Sequence, residues 1–97
     1  MKKLLIPFLF LFFSASAAEY KGQDIDGTNY NCTAYSYSTG NYYYVTVEFQ
    51  GSDCYIYFSN GGYITVTLDE EVIEDPSSIS AYCYNNGVYW VLDVDLD

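Results

Sequence analysis

Beyond Asn29 the chain alternates. In six short runs polar or tyrosine side chains trade places with aliphatic ones at every residue, and clusters rich in glycine, asparagine, serine or aspartate separate the runs. Period-two alternation in segments rich in Tyr, Val, Ile and Thr is the pattern of half-buried β-strands. The runs lie near 30–37, 42–50, 54–59, 63–69, 78–85 and 88–96. No segment carries a helical period, and the acidic run DEEVIED, Asp69 to Asp75, has room for one turn at most. The pattern predicts an all-β domain of about six antiparallel strands in a hairpin meander, curled into a sheet, small barrel or sandwich. Residues 20–29 read as a loop or a weak first strand.

The turns test this alternation. Asn86-Gly87 is a two-residue type I′ signal and pairs Tyr84 with Tyr89, Cys83 with Trp90 and Ala81 with Leu92. A three-residue loop at Asn60-Gly61-Gly62, with a glycine in the left-handed region, pairs Phe58 with Ile64 and Tyr57 with Thr65. A four-residue loop from Ser38 to Asn41 pairs Tyr37 with Tyr42, Tyr35 with Tyr44 and Cys32 with Val47. All three registers sort the side chains the same way. The predicted inner face holds Cys32, Ala34, Val45, Val47, Phe49, Cys54, Ile56, Phe58, Ile64, Val66, Leu68, Ile79, Ala81, Cys83, Val88, Trp90, Leu92 and Val94, and Tyr43 also turns inward. The predicted outer face holds Tyr35, Tyr37, Tyr42, Tyr44, Tyr55, Tyr57, Tyr63, Tyr82, Tyr84 and Tyr89 with several threonines.

The first eighteen residues stand apart. Met1-Lys2-Lys3 is a basic start, Leu4 to Phe13 a ten-residue apolar run, and Ala15-Ser16-Ala17 a small-x-small cleavage motif. This is the layout of a Sec-type signal peptide, too short to span a membrane as a helix. Cleavage after Ala17 and cleavage after Ala18 fit the motif equally. The reading takes 1–18 as the signal and 19–97 as one small secreted or periplasmic domain without a membrane span.

Charge then limits the partners. Beyond the signal, one lysine, Lys21, faces all thirteen carboxylates, with no arginine and no histidine, which leaves a net charge of about −12. Such a surface has nothing to release counterions from a phosphate backbone, so nucleic acid is excluded as a partner. Basic proteins, cations and uncharged glycans stay open. Catalysis lacks its parts: without histidine a serine or cysteine nucleophile has no usual base, and no pattern sets two carboxylates across a cleft for glycoside hydrolysis. The expectation is a non-enzyme without a cofactor. Two acidic sites are weak calcium candidates, Asp24 with Asp26, and Asp93 with Asp95; plain solvation is the simpler state of both.

Export places Cys32, Cys54 and Cys83 where disulfides form, and small domains use such staples. Three thiols allow one bridge, Cys32 to Cys54 or Cys32 to Cys83, with one cysteine left over. Strands two apart in a sheet are too widely spaced for a bridge, so either the sheet curls until two cysteines face each other across the core and one bridge forms, the outcome that export favours, or the thiols are simply buried small hydrophobes.

The tyrosines are the most specific feature. Cross-strand tyrosine pairs stiffen a small sheet, but an outer face normally carries Lys, Glu and Gln, and this one nearly avoids charge. An uncharged band of ring edges and hydroxyls suits contact with another protein, with a second copy, or with sugar rings. The tail SISAYCYNNGVYWV, Ser78 to Val91, and the Tyr30-Asn31-Cys32 opening resemble the small eight-stranded barrels of bacterial lysozyme inhibitors. That resemblance implies an acidic periplasmic inhibitor of a basic hydrolase; the serine-glycine inhibitory loop is absent, and no site is transferred.

Overall fold

The computed structural model describes residues 17–97; the expected signal peptide lies, up to residue 16, outside the described residues. Nine strands form, β1 (Glu19–Tyr20), β2 (Gln23–Asp24), β3 (Asn29–Ser36), β4 (Tyr42–Gln50), β5 (Asp53–Tyr57), β6 (Tyr63–Leu68), β7 (Val72–Ile73), β8 (Ile79–Cys83) and β9 (Val88–Val94), and the described residues contain no helix. Six of them close into a barrel in the order β3-β4-β5-β6-β8-β9, and β2-β1-β7 form a separate small sheet. The fold is all-β, as the alternation requires. The barrel has six strands, not the eight that the lysozyme-inhibitor resemblance implies.

Closure is made by β3 and β9, the first and last barrel strands, which pair antiparallel from Cys32 with Val94 to Ser36 with Trp90. A closed barrel has no free strand edge. Its interior is narrow and filled by side chains: Phe49, Ile56, Leu92, Val47, Val66, Cys54 and Cys83 are fully buried. Small residues sit where the space runs out. Ala34 lies between Tyr43 and Leu92, and Ala81 between Leu68 and Trp90. Every predicted inner residue belongs to the core or packs against it. Ala18, Ile25 and Ile73 were not foreseen there; they come from the N-terminal segment and the acidic run, whose Val72 and Ile73 form β7 beside β1 in place of a helical turn.

The hairpin registers differ from the expected ones, always by two residues. Tyr35 pairs with Tyr42, Ile56 with Ile64, Tyr57 with Tyr63, and Tyr82 with Tyr89. The three loops are Tyr37–Gly40, Ser59–Gly61 and Tyr84–Gly87. In each, the left-handed glycine is the last loop residue: Gly40 has φ 71°, Gly61 98° and Gly87 74°. Its N–H turns back to donate to the carbonyl of Ser36 at 2.8 Å, Phe58 at 3.0 Å or Cys83 at 2.8 Å. The first two loops thus keep their expected lengths, begun one residue earlier. The third takes four residues where a two-residue turn was expected, because one left-handed glycine at the loop end closes a turn that needs only one positive φ. A shift of two preserves side-chain parity, so the faces survive the change in register.

The bridges Cys32–Cys54 and Cys32–Cys83 do not form; all three cysteines are free and buried. Register is the reason. Along β4, Cys32 stands opposite Val45 and Cys54 opposite Phe49, four positions or roughly 13 Å of strand apart. Along β9, Cys32 stands opposite Val94 and Cys83 opposite Val88, six positions or roughly 20 Å apart. Closure alone does not bring them together, and the thiols serve as small apolar core groups.

An interior this tight should resist enlargement. Ala81→Leu is expected to cost about 1–3 kcal/mol by overpacking, whereas Tyr44→Ala, at a side chain 83% exposed, should stay within about 0.5 kcal/mol of the parent. Urea unfolding midpoints at constant m-value check both.

Candidate functional site

The barrel has two unlike ends. The loops Tyr37–Gly40, Ser59–Gly61 and Tyr84–Gly87 all lie at one end, where β3, β5 and β8 finish and β4, β6 and β9 begin. The N-terminal segment, the β4–β5 turn, the 69–78 connection and the C-terminus gather at the other. Residues 29–47, 54–68 and 76–92 contain no Asp, Glu, Lys or Arg. All thirteen carboxylates therefore fall toward or beyond the second end. One end is acidic, and the other is uncharged and aromatic.

The ten predicted outer tyrosines all lie outside the barrel. Tyr37, Tyr42, Tyr44, Tyr57, Tyr63, Tyr84 and Tyr89 are exposed, and Tyr35, Tyr55 and Tyr82 are half-buried. Nine of them group into three triads, one per hairpin. Tyr35 meets Tyr37 edge-on at 5.2 Å between ring centroids and Tyr42 at 4.9 Å. Tyr82 meets Tyr84 edge-on at 4.6 Å and Tyr89 at 4.5 Å. Tyr55, Tyr57 and Tyr63 lie 5.7–6.5 Å apart. Tilted and edge-to-face pairs at these separations suit the ring quadrupole.

The first and third triads are built alike. Both come from the spacing Tyr-x-Tyr-x-x-Gly-x-Tyr, in YSYSTGNY (Tyr35 to Tyr42) and YCYNNGVY (Tyr82 to Tyr89). In both, the first tyrosine leans over the loop glycine: a Cβ on Gly40 would stand 3.9 Å from the Tyr35 hydroxyl, and one on Gly87 3.7 Å from that of Tyr82. Barrel closure then sets the two hairpins side by side, with Tyr37 N–H donating to Tyr89 O at 3.1 Å. The two triads thus share one wall across β4, β3, β9 and β8. The repeated spacing was legible in the sequence; their adjacency was not, because it depends on β3 meeting β9. A groove of about 410 Å³ opens on this wall, lined by Tyr35, Tyr37 and Tyr42 together with Ser77 and Asp93.

Between the loops the barrel is plugged by Tyr43, Phe58 and Trp90, whose ring centroids are 5.9–6.3 Å apart. Trp90 is buried, and its indole Nε1–H has no partner. Ser36, Asn60 and Asn86 line the same surface hollow as Trp90.

The acidic end is tied together by its own polar groups. Tyr20 Oη and Lys21 Nζ both donate to Asp97, at 2.9 and 3.2 Å, and the Tyr20 hydroxyl first and Lys21 second hold the Asp97 carboxyl below the usual carboxylate range. Asp24 Oδ1 accepts from the Asp26 N–H, while Asp26 accepts from the N–H groups of Ala18 and Gly51. Asp24 and Asp26 thus hold backbone in place. Asp93 and Asp95 line a surface hollow of about 590 Å³ together with Asp97. Among the described residues no group of three or more His, Cys, Asp or Glu side chains is gathered to hold a metal ion, and no helix is long and apolar enough to cross a membrane.

Comparison of the chain with protein-family profiles, curated proteins and solved structures finds no match.

The thiols lie behind these surfaces in an unreactive state. Burial pushes Cys32 up from its ordinary value of 9.0 to about 12, with the charge of Asp93 a smaller contribution in the same direction. Burial also raises Cys54, with the charge of Cys32 a smaller contribution in the same direction. A thiol-selective reagent should label no cysteine in the native protein near neutral pH and all three after unfolding, as read by intact mass. The sign of the pH effect follows. The fold holds the neutral thiol, so its contribution is full below pH 9 and is lost as pH rises toward about 12, while the unfolded chain ionises earlier. Urea midpoints measured from pH 8 to 11 should fall more steeply for the parent than for Cys32→Ala.

Proposed function

We propose that this chain is an exported, non-enzymatic binding protein whose uncharged tyrosine end docks against another protein, a second copy of itself included. The observation that carries the reading is the segregation of charge. Exposed tyrosines are concentrated toward one end, in mutual ring contact, while the carboxylates fall toward the other; Glu48, opposite Tyr55, and Asp93, in the groove beside Tyr35, stand at the boundary. Tyrosine supplies large contact area at low entropic cost because it has few rotatable bonds, and rings already packed on one another lose less freedom on binding. Closure of the barrel leaves no strand edge for pairing, so the contact uses side-chain faces rather than β-addition. The lack of histidine supports the non-enzymatic half of the reading.

A second reading is favoured by the groove along the wall. Tyr35, Tyr37 and Tyr42 bring aromatic rings to it, and Ser77 and Asp93 add a hydroxyl and a carboxylate to the same lining. That combination suits an uncharged saccharide. The acidic end is the natural surface for a basic hydrolase, the inhibitor reading. Docking there would weaken steeply with salt, whereas docking at the tyrosine end would not.

The test is sedimentation over a wide concentration range, with pull-down from the exported fraction at low and high salt. Self-association or a captured partner should persist at high salt. The double variant Tyr37→Ser/Tyr89→Ser should weaken either one by at least about tenfold, or ~1.4 kcal/mol. A strict monomer that captures nothing would sink the proposal, and capture that disappears at high salt would move the contact to the acidic end. Retention on a polysaccharide panel, lost in Tyr35→Ser, would favour the saccharide.

A further inference from the structure

Ala18 is a buried residue in an unexpected place. It lies directly after the small-x-small motif, yet it is fully buried and belongs to the same core as Phe49 and Leu92. Its carbonyl accepts from Ile25 N–H at 3.0 Å, and its nitrogen donates to Asp26 Oδ1 at 3.1 Å. Asp26 is itself fixed on three sides. Both of its carboxylate oxygens accept from Gly51 N–H, at 3.0 and 3.1 Å, its own N–H donates to Asp24 Oδ1 at 2.8 Å, and it bridges Phe49 on β4. A rigidly held carboxylate therefore faces the backbone nitrogen of the residue at the cleavage motif.

We infer that the leader is removed between Ala17 and Ala18, and that the α-ammonium so created becomes the permanent partner of Asp26. The inference rests on reading the start of the chain as an export signal. Hydrolysis breaks the Ala17 C–Ala18 N bond. Water supplies the hydroxyl of the new Ala17 carboxyl group and a proton to the Ala18 amine, which takes a second proton from solvent and becomes an ammonium at neutral pH. An amide with one N–H is replaced, at the same position, by a cation with three donors. Charge-assisted hydrogen bonds of this kind are about twice as strong as neutral ones. The cation also matters to a chain with one other base, since Lys21 is already paired with Asp97.

The alternative cut, after Ala18, fits the small-x-small rule equally well but not the fold. It would delete a fully buried side chain and the acceptor of the Ile25 bond, and it would leave the Asp26 carboxylate facing a gap. The new terminus would then be Glu19, whose N–H donates to the carbonyl of Glu71, just before β7. Cleavage after Ala17 completes the N-terminal anchor; cleavage after Ala18 removes it.

The experiment is to express the full chain in a secreting host and determine the N-terminus of the exported protein by sequencing and intact mass. A first residue of Ala18 is expected. A homogeneous product beginning at Glu19 overturns the ammonium pairing and leaves the export reading standing. A product that keeps Met1 inside the cell overturns the export reading itself. On the mature protein, selective acetylation of the Ala18 amine should lower the thermal midpoint by about 4–8 °C. Asp26→Asn should lower it similarly, and acetylating that variant should add little, because both changes remove one interaction. A midpoint unmoved by acetylation overturns the pairing even if Asp26→Asn fails to fold.

Discussion

The pairing of β3 with β9 is the contact on which the rest of this molecule depends. It joins residues about sixty positions apart, so its loop-closure cost is high, and only an almost complete barrel can offset it. Once made, it removes the edges of a small sheet and encloses a core that an open meander of this size would leave half wet. It also decides the surface. Without it, the Tyr-x-Tyr-x-x-Gly-x-Tyr hairpins would lie at opposite ends of a ribbon; with it, Tyr37 and Tyr89 are backbone neighbours.

A second constraint is electrostatic. Thirteen carboxylates, with Lys21 the one base beyond residue 18, repel one another, and gathering them at one end raises that repulsion. Backbone amides, Tyr20, Lys21 and Ser77 meet part of the cost through hydrogen bonds to Asp26, Asp97 and Asp75. In exchange, the loops at the opposite end carry no charge that would have to be desolvated if that end were covered, and desolvating a charge costs several kcal/mol. The cross-strand tyrosine pairs there contribute about 0.2–1 kcal/mol each to the sheet, so the groups that stiffen the hairpins are also the ones presented outward.

Parity was legible in the sequence and register was not. Alternation placed Val47, Phe49, Ile56, Val66 and Leu92 inside and ten tyrosines outside, because a β-strand gives successive residues no other choice. The pairing of Tyr82 with Tyr89 was missed because Asn86-Gly87 invites a two-residue turn, while the loop uses Gly87 alone as its closing left-handed residue. Ile73 was hidden by its neighbours: within DEEVIED the local signal is charge, and burial comes from β1 lying alongside. Ala18 was hidden in the same way, by the apolar and small-residue run that precedes it. The cysteines were assigned to the right face but given the wrong task, since a bridge depends on heights along β4 and β9 that parity does not report.

By itself the sequence determined what is local: strand parity, the inward and outward faces, the excess of carboxylates, the lack of any histidine base, and the positions of the loop glycines. These follow from chain geometry and side-chain chemistry over a few residues. The tertiary structure alone decided what is distant: closure through β3 and β9, the free state of the three thiols, the joining of two tyrosine triads into one wall, the separation of that wall from the acidic end, and the carboxylate of Asp26 at the nitrogen of Ala18. Each is a relation between segments whose meeting depends on the register of strands far apart in the chain, and a two-residue slip changes register while leaving the local pattern intact.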